Sequence, residues 1–150
     1  MHILIDVQGY QSESKFRGIG RSTLAMSRAI IENAGEHRVS ILINGMYPID
    51  NINDVKMAYR DLLTDEDMFI FSAVAPTAYC NIENHGRSKA AQAARDIAIA
   101  NIAPDIVYVI SFFEGHGDSY TVSIPADNVP WKTVCVCHDL IPLLNKARYL

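Results

Sequence analysis

The chain has 150 residues, 49% hydrophobic and 20% charged, with a formal net charge of −4, enough for one domain with a sizeable core. The acidic balance excludes a general binder of nucleic acid or of anionic membrane, which needs a basic surface. No apolar run approaches the roughly 18–20 residues of a membrane span, and three cysteines, Cys80, Cys135 and Cys137, show no disulfide-framework spacing.

The first element spans 2–7. Met1-His2-Ile3-Leu4-Ile5-Asp6 lacks a basic leader region and reaches an acid after a short apolar run, so it reads as a strand rather than a signal peptide. With the odd cysteine count, this sets a reducing, cytoplasmic location as the expectation. Residues 21–34 predict a helix with Leu24, Ser27, Ile31 and Ala34 on one stripe, flanked by Met26 and Ile30, and with Gly35 as its stop. A second strand follows over 38–43. The spacing of Val55, Ala58, Tyr59 and Leu62 predicts a helix over 54–63. A third strand covers 67–74. Residues 88–102 read as a helix capped by Ser88, with Ala90, Ala94, Ile97 and Asn101 along one side, ending before Pro104.

Strands over 105–111 and 132–137 complete the pattern. Most of these runs are continuous in apolar residues rather than alternating, as in strands covered on both faces by helices. The order predicts an α/β fold with a doubly wound, Rossmann-like parallel sheet. In the last strand Thr133, Cys135 and Cys137 face one way and Val134, Val136 and His138 the other. Cys-x-Cys-His therefore does not converge on a metal, none is expected, and the cysteines read as core residues. The chain reaches Leu150 without a predicted closing helix, so a fragment of a larger protein is expected.

Ligands of open α/β sheets bind beyond the carboxyl ends of the strands. The first such loop, 8–20, ends in Arg17-Gly18-Ile19-Gly20-Arg21 at the entrance of the first helix. Free N–H groups and the helix dipole favour an anion there, and glycine lets a phosphate or sugar approach. A flexible loop with a glycine cap is the plainer alternative. The loop is no dinucleotide fingerprint, because Thr23 stands at the third glycine position. Asn44, after the second strand, is not the acid that would hold a ribose. After the fourth strand comes Phe112-Phe113-Glu114-Gly115-His116-Gly117-Asp118, where Glu114 fits a base, a binder of sugar hydroxyls, or a solvated turn. His138 closes the fifth strand at the cleft edge, and Asp139 either orients its ring or caps the next turn.

Together, Arg17-Gly18-Ile19-Gly20-Arg21, the Phe-Phe-Glu-Gly stretch, and His138-Asp139-Leu140-Ile141-Pro142 resemble family 4 glycosyltransferases of the GT-B fold. The likeness is to bacterial mannosyl- and glucosyl-type enzymes that build surface polysaccharides. It implies that residues 1–150 are the N-terminal, mainly acceptor-side domain, with a C-terminal donor-nucleotide domain lying outside this chain. It implies retaining transfer of a sugar from a nucleotide-sugar donor to a saccharide or lipid-linked acceptor, without a metal or other cofactor. Peripheral membrane association of the full-length enzyme is compatible with such an acceptor. Carried over by position, Gly18, Gly20 and Arg21 approach the donor, His138 is the catalytic histidine, Asp139 is secondary, and Glu114 lies near the acceptor.

Two other readings compete. An NAD(P)-linked Rossmann oxidoreductase lacks the third glycine and the ribose acid. A non-catalytic flavodoxin-like receiver lacks an acid after the third strand, which ends Ser72-Ala73-Val74-Ala75-Pro76.

Overall fold

The computed structural model describes residues 1–111, 114–124, 129–138, 144, 145 and 147. The apolar runs form strands β1 (His2–Asp6), β2 (Arg38–Asn44), β3 (Met68–Phe71), β4 (Ile106–Val109) and β5 (Lys132–Cys135). Helices α1 (Gly18–Glu32), α2 (Ile49–Tyr59) and α3 (His85–Ile102) lie between them. The strands make one sheet in the order β3-β2-β1-β4-β5, and every pairing is parallel. This is the doubly wound α/β arrangement that the alternating pattern predicts, with the strand order reversing between β1 and β4.

Continuous apolar strands follow from two covered faces. Ile5, Ile41 and Ile43 pack with Val55 and Tyr59 of α2, and Leu24, Ile30 and Ile31 of α1 lie against them. The intervening Leu4 and Leu42, with Val107 and Val109, pack with Ile99 of α3 and Trp131 on the opposite face. Successive side chains of one strand thus feed two cores. Each buried aliphatic side chain contributes about 1.5–3 kcal/mol. Within α1, Ser27 sits on the apolar stripe as expected. It is buried because its hydroxyl donates to the Thr23 carbonyl at 2.7 Å and shares a 2.6 Å hydrogen bond with the Tyr59 hydroxyl. Gly35, at φ +59°, adopts the left-handed conformation its place after α1 requires.

Several local expectations shift. The first helix starts at Gly18, which puts Gly18 and Gly20 inside its first turn. The second follows Pro48 rather than starting at Asp54, since proline suits a helix entry, and Leu62 lies beyond its end. The third begins at His85, so Ser88 is a buried residue within it, not a cap. Its buried stripe is Ser88, Ala91, Arg95 and Ile99, whereas Ile97 is 62% exposed. The apolar reading chose the wrong face because the true one carries an arginine. Arg95 is buried against Asp6 at the end of β1, with Nη2 at 2.8 Å and Nε at 2.9 Å from Asp6 Oδ2. The cysteines also depart from expectation: Cys135 and Cys137 are exposed, because β5 lies at the sheet edge and pairs only with β4 among the described strands. No helix among the described residues is long and apolar enough to cross a membrane.

The Arg95–Asp6 pair has side-chain exposures of 1% and 0%, so removing one partner strands a buried charge. Arg95→Met and Asp6→Ala are each expected to cost about 3–5 kcal/mol in urea unfolding, and the double variant less than their sum. Strict additivity would show that the two groups do not interact. A Cβ on Gly20 would lie 2.2 Å from the Lys15 carbonyl oxygen, whereas one on Gly18 meets nothing within 4 Å. Gly20→Ala should therefore destabilise by about 1–3 kcal/mol, while Gly18→Ala changes stability by less than about 1 kcal/mol.

Candidate functional site

The carboxyl edge of the sheet is organised by two glutamines after β1: Gln8, which opens the short helical turn Gln8–Tyr10, and Gln11, which follows it. Gln8 Nε2 donates to Asp6 Oδ1 and Oδ2 at 3.0 and 2.9 Å, and to the Thr121 carbonyl at 2.7 Å. Its Oε1 accepts from the Thr121 N–H at 3.1 Å and from Asn44 Nδ2 at 2.7 Å. Gln11 does the same toward β2: its Nε2 donates to the Asn44 carbonyl at 3.0 Å, and its Oε1 accepts from the Asn44 N–H at 2.8 Å. Each side-chain amide thus replaces a strand neighbour where β1 has turned away, and buried polar groups of this kind need such partners.

This network occupies the switch point. Gln8, following β1, bonds Thr121, which follows β4, across the gap where the strand order reverses. Arg95 extends the bridge, donating from Nη1 to the carbonyl and hydroxyl of Ser123 at 3.2 and 3.0 Å; the Ser123 hydroxyl also bonds Asp96. The crevice in which a dinucleotide pyrophosphate would lie is bridged by the chain itself, and Asn44 is committed to Gln8. Neither observation favours the NAD(P) reading.

Open space lies instead to the β2–β3 side. A cleft of ≈ 480 Å³ is walled by Gln11 and Glu13 after β1, Tyr47 and Asn51 after β2, Ala78 after β3, and Asp118 and Ser119 after β4. Its chemistry is an aromatic ring, carboxamides and two carboxylates, a set that bonds hydroxyl groups and packs on apolar C–H surface. The Tyr47 hydroxyl is held as a proton donor. Burial, then the negative charges of Asp118, Asp6, Glu114 and Glu13, push its pKa far above the usual tyrosine range.

The residues expected from sequence do not line this cleft. Gly18 and Arg21 are exposed at the start of α1. Gly20 is buried, and the space its missing side chain leaves is taken by the Lys15 backbone. Glu114 feels the charge of His138, which is exposed beyond the end of β5. Asp139 lies outside the described residues, as do Phe112 and Phe113. Among the described residues, no cluster of three or more His, Cys, Asp or Glu side chains could hold a metal ion. Asp6, Gln8, Gln11, Arg95, Tyr47 and Ser119 were not singled out from sequence. The available signals were an acid closing an apolar strand and a lone arginine in the alanine-rich helix.

Burial, then the neighbouring charge of Asp118, raises the pKa of Glu114, while the Ser111 hydroxyl bond and His138 act against them. The folded chain therefore holds the Glu114 proton more tightly than the unfolded one. The stability this group contributes is present below its ordinary value of 4.5 and is lost as pH rises through the raised folded value. Glu114→Gln is expected to be more favourable to the melting temperature at pH 7 than at pH 4. Equal effects at both would contradict the shift.

No family model matches the chain, and no solved structure matches it. It is 96% identical, over all 150 of its residues, to a serotype-specific mannosyltransferase, WbdA, from Escherichia coli. A second Escherichia coli protein of that name is 96% identical over 125 residues, 83% of this chain. The chain spans 18% of the length of the first of these relatives and 15% of the second.

Proposed function

We propose that this chain is the N-terminal, acceptor-side part of a retaining glycosyltransferase that moves a mannosyl group from a nucleotide-sugar donor to a saccharide or lipid-linked acceptor. What carries the reading is the 96% identity, along the entire chain, to a protein named as a mannosyltransferase. The retaining GT-B assignment adds the resemblance of the loops after β1, β4 and β5. In this reading the donor nucleotide belongs to the longer protein's second domain, the enzyme works in the cytoplasm or at the inner membrane face, and no resident metal or cofactor takes part.

The residues present suit the acceptor's share of the work. The cleft beside Tyr47 offers Asn51, Glu13 and Asp118 to sugar hydroxyls, with Gln11 bracing its floor through Asn44. Glu114 and His138 follow β4 and β5, on the edge where the anomeric carbon would be presented. Retention requires the acceptor hydroxyl to attack from the face that the diphosphate leaves, through an oxocarbenium-like state. Protein groups then act by positioning and electrostatics: His138 as a hydrogen-bond partner of a donor-sugar hydroxyl, and the first turn of α1, at Gly18 with Arg21 beside it, toward the departing charge.

The test uses a full-length protein, of the relatives' length, that carries this chain. Incubated with GDP-mannose and a mannose-terminated oligosaccharide, it should extend the acceptor with the donor's anomeric configuration, read by NMR. No transfer from any GDP- or UDP-sugar would overturn the assignment. In that protein His138→Ala is expected to lower kcat about 10²–10³-fold, and near-normal turnover would remove His138 from the site.

A further inference from the structure

The cleft wall contributed by residues after β4 is tied to three other loops. Tyr47 Oη donates to the Ser119 carbonyl at 2.6 Å. The Thr77 N–H donates to Ser119 Oγ at 3.1 Å. On the same side, the N–H groups of Tyr79 and Cys80 donate to the carbonyls of Gly115 and His116 at 2.9 and 2.8 Å. Gln8 grips Thr121 from the other side, at 2.7 and 3.1 Å. Within the turn, the Gly115 N–H donates to Asp118 Oδ1 at 3.1 Å. The segment that carries Glu114 and Asp118 therefore takes its position from the loops after β1, β2 and β3.

Ser119 is the junction. Its carbonyl serves the loop after β2 and its hydroxyl serves the loop after β3, and both Tyr47 and Ser119 line the cleft. Tyr47 is well suited to the task, since one aromatic body fills space while its hydroxyl makes a single directed bond. We infer that Tyr47 and Ser119 are positioning residues: their hydrogen bond sets the distance between the Tyr47 and Asp118 sides of the cleft and so determines how well a saccharide is held. For its saccharide this inference rests on the proposed glycosyl transfer. The junction itself follows from the geometry alone.

Tyr47→Phe deletes the bond and keeps the ring, and Ser119→Ala deletes the Thr77 contact and keeps the carbonyl. Both are made, alone and together, in the full-length protein carrying this chain. Loss of one net hydrogen bond should speed amide hydrogen exchange of residues 115–121 about 3–10-fold, with the strand amides unchanged. The acceptor KM should rise by a similar factor, with donor KM and kcat within about twofold. Exchange unchanged in both single variants overturns the junction. A raised acceptor KM without faster exchange also overturns it, because the hydroxyl would then touch the sugar itself. Faster exchange with an unchanged acceptor KM overturns the link to saccharide binding. If the protein transfers no sugar, the Kd of the acceptor oligosaccharide replaces KM, and the function fails independently of the junction.

Discussion

Asp6 ends the first strand with its carboxylate in the interior, and Arg95 reaches it from α3 on the far face of the sheet. Bringing both charges out of water is costly, and mutual attraction offsets that cost only when the remaining polar atoms are also bonded. Gln8 and Ser123 do this bonding. Gln8 takes both Asp6 oxygens, and Ser123 accepts from the guanidinium. Satisfying one buried ion pair therefore draws four separated pieces of chain together at the carboxyl edge: the end of β1, the middle of α3, the end of β2 through Asn44, and residues 121–123.

The position of the cleft follows from this. In an open α/β sheet the gap at the switch point is the natural place for a ligand, yet here the chain fills it with its own polar network. Beside that bridged gap, the cleft at Tyr47 is walled by the loops after β1, β2, β3 and β4. The same residues that close one crevice support the wall of the other, since Thr121, held by Gln8, is two residues from Ser119. Stability and site geometry share one set of hydrogen bonds, so substitutions in the network act on both.

Part of this was legible without coordinates. Strands with residues pointing into two cores must be apolar throughout, and all five were read within a few residues of their observed bounds. The stripe on α1 was read correctly even though it includes Ser27. The stripe on α3 was not, because periodicity recognises apolar residues and has no means of recognising an arginine neutralised by a carboxylate 89 positions away. Cys135 and Cys137 misled in the opposite sense. Composition suggested a core, but exposure of a strand depends on whether it has a neighbour, and among the described strands β5 pairs only with β4.

For the site, strand order pointed to the loops after β1, β4 and β5, and the separate roles of Glu114 and His138 came only from resemblance. Distinguishing Gly20, which packs on Lys15, from Gly18, which is open, required the backbone in three dimensions. So did finding Tyr47, whose partner Ser119 is 72 residues away. What the sequence by itself determined is the set of elements, their alternation and hence the parallel sheet, because these depend on short-range periodicity and chain-order rules. What only the tertiary structure decided is which buried polar groups meet and where the cleft opens, because hydrogen bonds between distant segments leave no periodic trace in the chain.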